Sequence, residues 1–425
     1  MQHWNRFVIC GIVFSFFGAI FVLSCILTID SLLVIIDYHS LEETFNPDVI
    51  PSSVWLEDNS EEGQNLQELK IVCYLTMPGA DETSHLSPAD IDPLLCTHLI
   101  VGFGSVVNCT LTLGDNFQVY QSASKLKSKN PDLKVMISVG GINEISSGFP
   151  EMTQNHTNRK IFIRSVLNLT KTLNLDGLDI DWEFPAWLDV DGRQKIHYIQ
   201  LLHELRKAFD KRNQKLVLSA AVAAPEAIID QSYNVPQMAE YLDFVNLMAY
   251  DYHYFTRYLP LTGFNAPLFP SSKEINYLSP ANVNRSAHYW VEKGMPHSKI
   301  VVGIPTYGHS YHLINPANNG IEAPCSDYGT LGFGGFVSYS NICAFLSNGT
   351  MRVFDDESKV PYAVQNTEWI SYDDVTSITI KANWLRSAGF GGAMVFSLNA
   401  DDWNSTCEKN LSFPLTRTVT KIIRN

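Results

Sequence analysis

Eight short apolar runs recur between residues 69 and 398, separated by segments with apolar residues at i, i+3 and i+4, and this alternation restricts the fold more than any other feature. The runs are LKIVCYLT (69–76), HLIVGF (98–103), KVMISVG (134–140), GLDIDWE (177–183), LVLSAAV (216–222), FVNLMAY (244–250), KIVVGIP (299–305) and GGAMVFSL (391–398). Helical spacing fills the intervals, for example 159–173, 194–212 and 374–388. Strands that are apolar on both faces belong in a parallel sheet covered by helices on each side. Eight such units close most economically into an α/β architecture, a (β/α)8 TIM barrel. The interval between the seventh and eighth runs is far longer than one helix requires. Within it, 311–370 is rich in Gly, aromatic and polar residues and contains the strand-like stretches GFVSYSNI and YAVQNTEWI, so a small inserted α+β lobe is expected beside the catalytic face.

Upstream, Phe7 to Ile29 is a run of 23 residues without a charge, long enough to cross about 30 Å of hydrocarbon as a helix. It exceeds the apolar core of a cleaved signal peptide, and no small-x-small site follows before Asp30, which favours an uncleaved signal anchor; cleavage would instead give a secreted protein. With Arg6 ahead of the run and acids behind it, residues 1–6 are expected in the cytosol and the rest in the lumen or outside the cell, a single-pass type II arrangement. Residues 30–69 hold ten acidic and no basic side chains and are expected to form a solvated stem. Those ten acids account for all but −4 of the formal charge of −14, so the barrel region, 70–415, is nearly balanced and offers no basic footprint for nucleic acid. Residues 416–425 are expected as a short tail.

Exterior placement agrees with seven Asn-x-Ser/Thr sequons, at Asn108, Asn155, Asn168, Asn284, Asn348, Asn404 and Asn410. Cys10 and Cys25 lie within the apolar run and leave an even six, Cys73, Cys96, Cys109, Cys325, Cys343 and Cys407, as an oxidising compartment would accommodate. No Cys-x-x-Cys or His-x-x-x-His spacing suggests a structural zinc site, and no metal is expected.

The stretch LDGLDIDWEFP, Leu175 to Pro185, sets four carboxylates within an apolar strand. Because strand side chains alternate, Asp179, Asp181 and Glu183 point the same way, about 7 Å apart, while Ile180 and Trp182 face the helices. Glu183 ends the strand, where such barrels place catalytic groups, and Asp176 precedes it as a structural acid. Carboxylates so crowded in a low dielectric cannot all ionise, so Glu183 should hold its proton to higher pH, as a general acid requires. A calcium site fits poorly, since calcium prefers oxygen ligands from a flexible loop.

The pattern Asp-x-x-Asp-x-Asp-x-Glu, complete as Asp176, Asp179, Asp181 and Glu183, resembles the signature of glycoside hydrolase family 18, the chitinases and chitinase-like lectins of animals. Resemblance extends through KIVCYL, CTHLI, SVGG (Ser138 to Gly141), SAAV, NLMAYD (Asn246 to Asp251), GIPTYG (Gly303 to Gly308), VPYAV and GGAMVFSLNADD (Gly391 to Asp402). It implies hydrolysis of β-1,4-linked N-acetylglucosamine in chitin or its oligosaccharides, without a cofactor, by a retaining route in which the substrate's own acetamido oxygen is the nucleophile. On that resemblance Glu183 protonates the leaving oxygen and then activates water, Asp181 orients the acetamido group, and Asp179 holds Asp181 and tunes its proton. Tyr250 hydrogen-bonds the acetamido oxygen. Met248, Asp251, Phe396, Trp182, Gly140 and Gly141 are assigned to the substrate surface.

Family resemblance pairs Cys73 with Cys96 and Cys343 with Cys407, and leaves Cys109 and Cys325 either bridged to one another or free. Several positions depart from the family pattern: Phe396 and Ile142 stand where Trp is usual, Val101-Gly102-Phe103 replaces Tyr-Ala-Phe, and His309 stands where Arg is frequent. A phenyl ring offers a pyranose less stacking area than an indole, so weaker binding is expected. With no Cys-rich module after Leu415, accessible oligomers or nascent chains are the expected substrates rather than crystalline chitin. Two alternatives remain, a chitin-oligosaccharide lectin with weak turnover and a hydrolase of another N-acetylhexosamine glycan.

Overall fold

Each of the eight runs is a strand: β1 Lys70–Thr76, β2 His98–Val107, β3 Lys134–Gly140, β4 Gly177–Asp181, β5 Val217–Val222, β6 Phe244–Leu247, β7 Ile300–Pro305 and β8 Gly392–Phe396. All pair in parallel with their chain neighbours, and β8 pairs with β1 to close the barrel. A computed structural model describes residues 68–77, 86–142, 148–187, 189, 192–211, 216–273 and 281–425. The expected 7–29 span and nearly all of the 30–69 stem lie outside the described residues. Among the described residues no helix is long and apolar enough to cross a membrane.

Burial on both faces explains the composition of the strands. Ile71, Val72, Val135, Ile137, Val245 and Val301 are all fully buried, and their branched side chains suit a pleated surface packed from both sides. The covering helices follow the expected spacing. In Arg193–Asp210, Tyr198, Leu201, Leu202, Leu205 and Phe209 form the buried stripe. His156–Thr172 starts where the Asn155 side chain accepts a hydrogen bond from the Asn158 amide, and Val375–Ser387 starts at a capping box made by Asp374 and Ser377.

The inserted lobe is a six-stranded antiparallel sheet centred on Tyr307–Leu313, and it reaches from there to Ser371, slightly beyond the expected 311–370. YAVQNTEWI is a hairpin of Val360–Gln365 and Glu368–Ser371, with Asn366 supplying the positive φ of 56° at the turn. GFVSYSNI divides into the strand Phe336–Ser338 and the helix Tyr339–Leu346.

One sequence expectation needs correction. Residues 416–425 are not a tail, because Pro414–Arg424 is a helix that buries Leu415, Thr416, Val419 and Ile423 against the barrel and the helix Val375–Ser387. Its apolar face was visible in the sequence at i, i+4 and i+8. The two disulfides implied by resemblance form, Cys73–Cys96 and Cys343–Cys407, while Cys109 and Cys325 stay unpaired. Those two thiols sit in separate apolar clusters: Cys109 belongs to the barrel core, and Cys325 packs with Tyr311 and Trp369 in the lobe. Six sequon asparagines are exposed, and Asn284 on the helix Val283–Glu292 is half-buried.

Candidate active site

Strand register assembles the site. Ser138 on β3, Asp179 on β4 and Ser219 on β5 are partners across adjacent strands, which sets the three side chains at one level inside the barrel. Asp179 is fully buried and receives four neutral donors: Tyr74 OH and Ser138 Oγ at 2.8 Å on Oδ2, and Ser219 Oγ at 2.6 Å and Asn246 Nδ2 at 3.1 Å on Oδ1. Burial raises its pKa, and the hydrogen bonds from Ser219, Ser138, Tyr74 and Asn246 pull the other way. Among the described residues these donors are the hydrogen-bond partners of the Asp179 oxygens, and the negative charge of Asp179 raises the proton affinity of Asp181.

Asp181, two residues on, is buried, and its Oδ1 has no hydrogen-bond partner among the described residues. Burial first, then the charges of Glu183 and Asp179, holds its pKa well above the carboxylate range. Glu183 lies just past the end of β4 and is half-buried. Its pKa is pushed up to about 7, chiefly by burial and then by Asp251, so the sequence argument had the right direction but assigned it to crowding with the other strand acids. Asp176 serves as a structural acid: its Oδ2 accepts from Lys127 Nζ at 2.9 Å and from the Val135 amide at 2.8 Å, which joins the start of β4 to β3.

Across the mouth, Tyr250 follows β6 and is 8% exposed, and among the described residues its hydroxyl has the Met394 sulfur, at 4.0 Å, as its hydrogen-bond partner. Phe396, at the end of β8, stacks on Tyr250 with centroids 5.5 Å apart. Met248, two residues before Tyr250, is half-buried and packs against the barrel core. Asp251 takes a positive φ of 59°, and its Oδ1 accepts from Tyr307 OH at 2.6 Å and lies 2.7 Å from His309 Nε2. The lobe's first strand thus fixes the acid that faces Glu183.

Three residues assigned to the substrate surface lie behind it instead. Trp182 is 4% exposed, stacked on Phe149 at 5.0 Å and edge-on to Tyr198, because alternation turns it to the helix side. Gly140 and Gly141 are buried with φ of +115° and +90°. A Cβ on Gly140 would stand 2.0 Å from the Asp181 carbonyl oxygen, and the Gly141 amide donates to that same oxygen at 2.9 Å. They position Asp181 through its backbone. Sequence reasoning overlooked Tyr74, Ser138, Ser219 and Asn246 as individual contributors; the available signal was a polar residue at an inward position of an otherwise apolar strand.

The arrangement suits acid–base chemistry. Glu183 keeps a proton close to neutral pH, Asp181 has a free oxygen for a donor on a bound molecule, and the Tyr250 hydroxyl stays protonated and can donate. Among the described residues no cluster of His, Cys, Asp and Glu could hold a metal ion.

Comparison with known proteins agrees with this geometry. The family model for glycosyl hydrolases family 18 matches residues 70–401. Human chitinase-3-like protein 2 is 38% identical over 363 residues, covering 82% of this chain and 91% of its own length. Mouse chitotriosidase-1 is 37% identical, also over 363 residues, covering 82% of this chain and 77% of its own. The solved structure of human YKL-39, described as a pseudo-chitinase with retained chitooligosaccharide binding properties, superposes with a TM-score of 0.79 at 37% identity over 84% of this chain and 100% of that one. The chain therefore belongs to glycosyl hydrolases family 18.

Proposed function

We propose that this chain is a chitinase-type hydrolase that cleaves β-1,4-linked N-acetylglucosamine oligomers or chitin by substrate-assisted, retaining hydrolysis. The observation that carries this reading is Glu183 at the barrel mouth with its pKa pushed up to about 7, so that the residue is a proton donor at working pH and a base once the proton has gone. The acetamido oxygen attacks the anomeric carbon as Glu183 protonates the departing oxygen; Glu183 then takes a proton from the water that opens the cyclic intermediate, and the starting protonation state returns. The Asp181 Oδ1 accepts the acetamido N–H, which sharpens the nucleophile and offsets the positive charge that develops. Tyr250 donates to the acetamido group, and Phe396 with Met248 forms the floor beneath the sugar.

A second reading is supported by Phe396 and by Ile142, which is 76% exposed and stands where the family resemblance leads one to expect Trp. It makes the chain a chitin-oligosaccharide lectin with weak turnover. The retained Glu183 favours the enzyme. The full chain assayed on fluorogenic chitotriose, with Glu183→Gln as control, separates the two: equal signal from both proteins removes the hydrolase, and binding without turnover leaves the lectin. Partly deacetylated oligomers cut as fast as acetylated ones would remove the substrate-assisted route.

The same proposal places the barrel outside the cell or in the lumen of the secretory pathway, held by the 7–29 segment as a type II anchor, or released if that segment is cleaved. Two disulfides and six exposed sequon asparagines support an oxidising, glycosylating compartment.

A further inference from the structure

The end of the barrel opposite the acid site carries a second set of polar side chains in the bore. Tyr74 on β1, Ser138 on β3 and Ser219 on β5 all reach Asp179 from inside the barrel. Residues an even number of positions away on the same strand point the same way, which turns Lys70, Lys134 and Val217 inward where their strands begin. His98 opens β2 and is the lateral partner of Lys134 on one side and of Val72 on the other, so it shares that face. Phe244, the partner of Ser219, belongs to the same lowest layer. Lys70 Nζ stands 5.6 Å over the Phe244 ring, and the His98 ring meets it edge-on at 5.4 Å. Layers of such barrels are ordinarily filled by branched apolar side chains. Two lysines and a histidine in one of them need another explanation than packing.

The layer borders a cavity of about 610 Å³, lined by Lys70, His98, Lys134, Leu69 and Val217, with Arg424 brought in by the C-terminal helix. Glu68 and Asp132 add two exposed carboxylates to the wall. Among the described residues none of the Lys70, Lys134 and Arg424 side chains forms an ion pair or a hydrogen bond, with those carboxylates or with any other group. Lys70 is half-buried, and burial lowers its pKa, with Lys299 acting in the same direction and Asp243 against it. An ammonium partly withdrawn from solvent and lacking an acceptor is costly unless an anion meets it. His98 Nδ1 lies 2.8 Å from Thr97 Oγ1, and Nε2 has no partner among the described residues. Burial and then the charges of Lys70 and Lys134 push the His98 pKa down to about 4, so both lysines act on one uncharged ring. Three permanent cations against two carboxylates, with aliphatic wall on one side, suit a compact organic anion in size and in charge.

We propose that this cavity at the floor of the barrel binds a small molecule carrying a phosphate or sulfate group. The oxyanion lies between Lys70 and Lys134, which serve as point charges, and Arg424 supplies paired donors at the rim. Leu69 and Val217 take the organic body. The site is separate from Glu183 and does not depend on the carbohydrate reading.

Calorimetry on the full chain at fixed ionic strength, with inorganic phosphate, inorganic sulfate and phenyl phosphate as probes, tests this. Phenyl phosphate should bind, and more tightly than inorganic phosphate. Lys70→Met should weaken it about tenfold or more, the weight of a hydrogen bond to a charged group. Lys134→Gln should weaken it about two- to fivefold, as for an exposed ion pair, and because Lys134 is exposed this variant keeps the test valid where Lys70→Met does not fold. No binding of any of the three probes, or an affinity unchanged in the folded variants, overturns the site. Phenyl phosphate bound no more tightly than inorganic phosphate overturns the organic ligand.

Discussion

Two of the places where the molecule buries a carboxylate solve the problem in opposite ways. Asp373, between the lobe and the helix Val375–Ser387, lies 2.6 and 2.7 Å from Lys381 Nζ through its two oxygens and also accepts from Ser377 Oγ. Asp179 and Asp181 at the barrel mouth have no cation beside them among the described residues: the first is held by four neutral donors, and the second has a bare oxygen. A buried charge with a counter-ion is a structural clamp; one without keeps a high proton affinity and is available for chemistry. Neutral donors alone do not mark catalysis. Asp401, pushed up to about 6 by burial, is held by Thr416 and backbone amides and fastens the C-terminal helix. What singles out the β4 row is that it ends at the barrel mouth with Glu183.

Glu183→Gln should sharpen the contrast most, lowering turnover of fluorogenic chitotriose by about 10²- to 10⁴-fold, the usual weight of a general acid, while thermal unfolding near neutral pH shows no loss. Lys381→Met should do the reverse. Leaving Asp373 buried and unpaired costs ~3–5 kcal/mol in denaturant unfolding, with turnover per folded molecule retained; a small stability loss would mean that the clamp is not one.

The pH dependence separates the regions further. Glu183 has its pKa raised from 4.5 to about 7, so the protonated acid, and with it turnover, should decline as pH rises through about 7. Stability carries the same sign: the contribution is complete below 4.5 and is lost as pH climbs through about 7, because the unfolded chain ionises first. Unfolding of Glu183→Gln and wild type compared across that window should show the variant gaining relative stability toward higher pH; parallel curves would contradict the raised value. The smallest effect expected is from Phe396→Trp, which should tighten chitotriose binding to the Glu183→Gln protein about two- to tenfold by enlarging the stacking floor. A looser complex would show that Phe396 is matched to this cleft.

Order and kind of element were written locally. The eight strands, the long helices and the row of Asp179, Asp181 and Glu183 follow from periods of two and about 3.6 residues, which any stretch of chain obeys without knowing its neighbours. The helix Pro414–Arg424 was legible on the same terms and overlooked because it is short and terminal. Folding alone decided the rest. Tyr74, Ser138, Ser219 and Asn246 meet Asp179 from sequence separations of 105, 41, 40 and 67 residues, and His309 meets Asp251 from 58. Trp182 illustrates the boundary: alternation turned it away from the cleft, and only the packed ring of Phe149 showed that this face is core. A carboxylate's identity is a property of sequence, but its proton affinity depends on solvent exclusion and on charges brought close by barrel closure, and neither exists until the chain has folded.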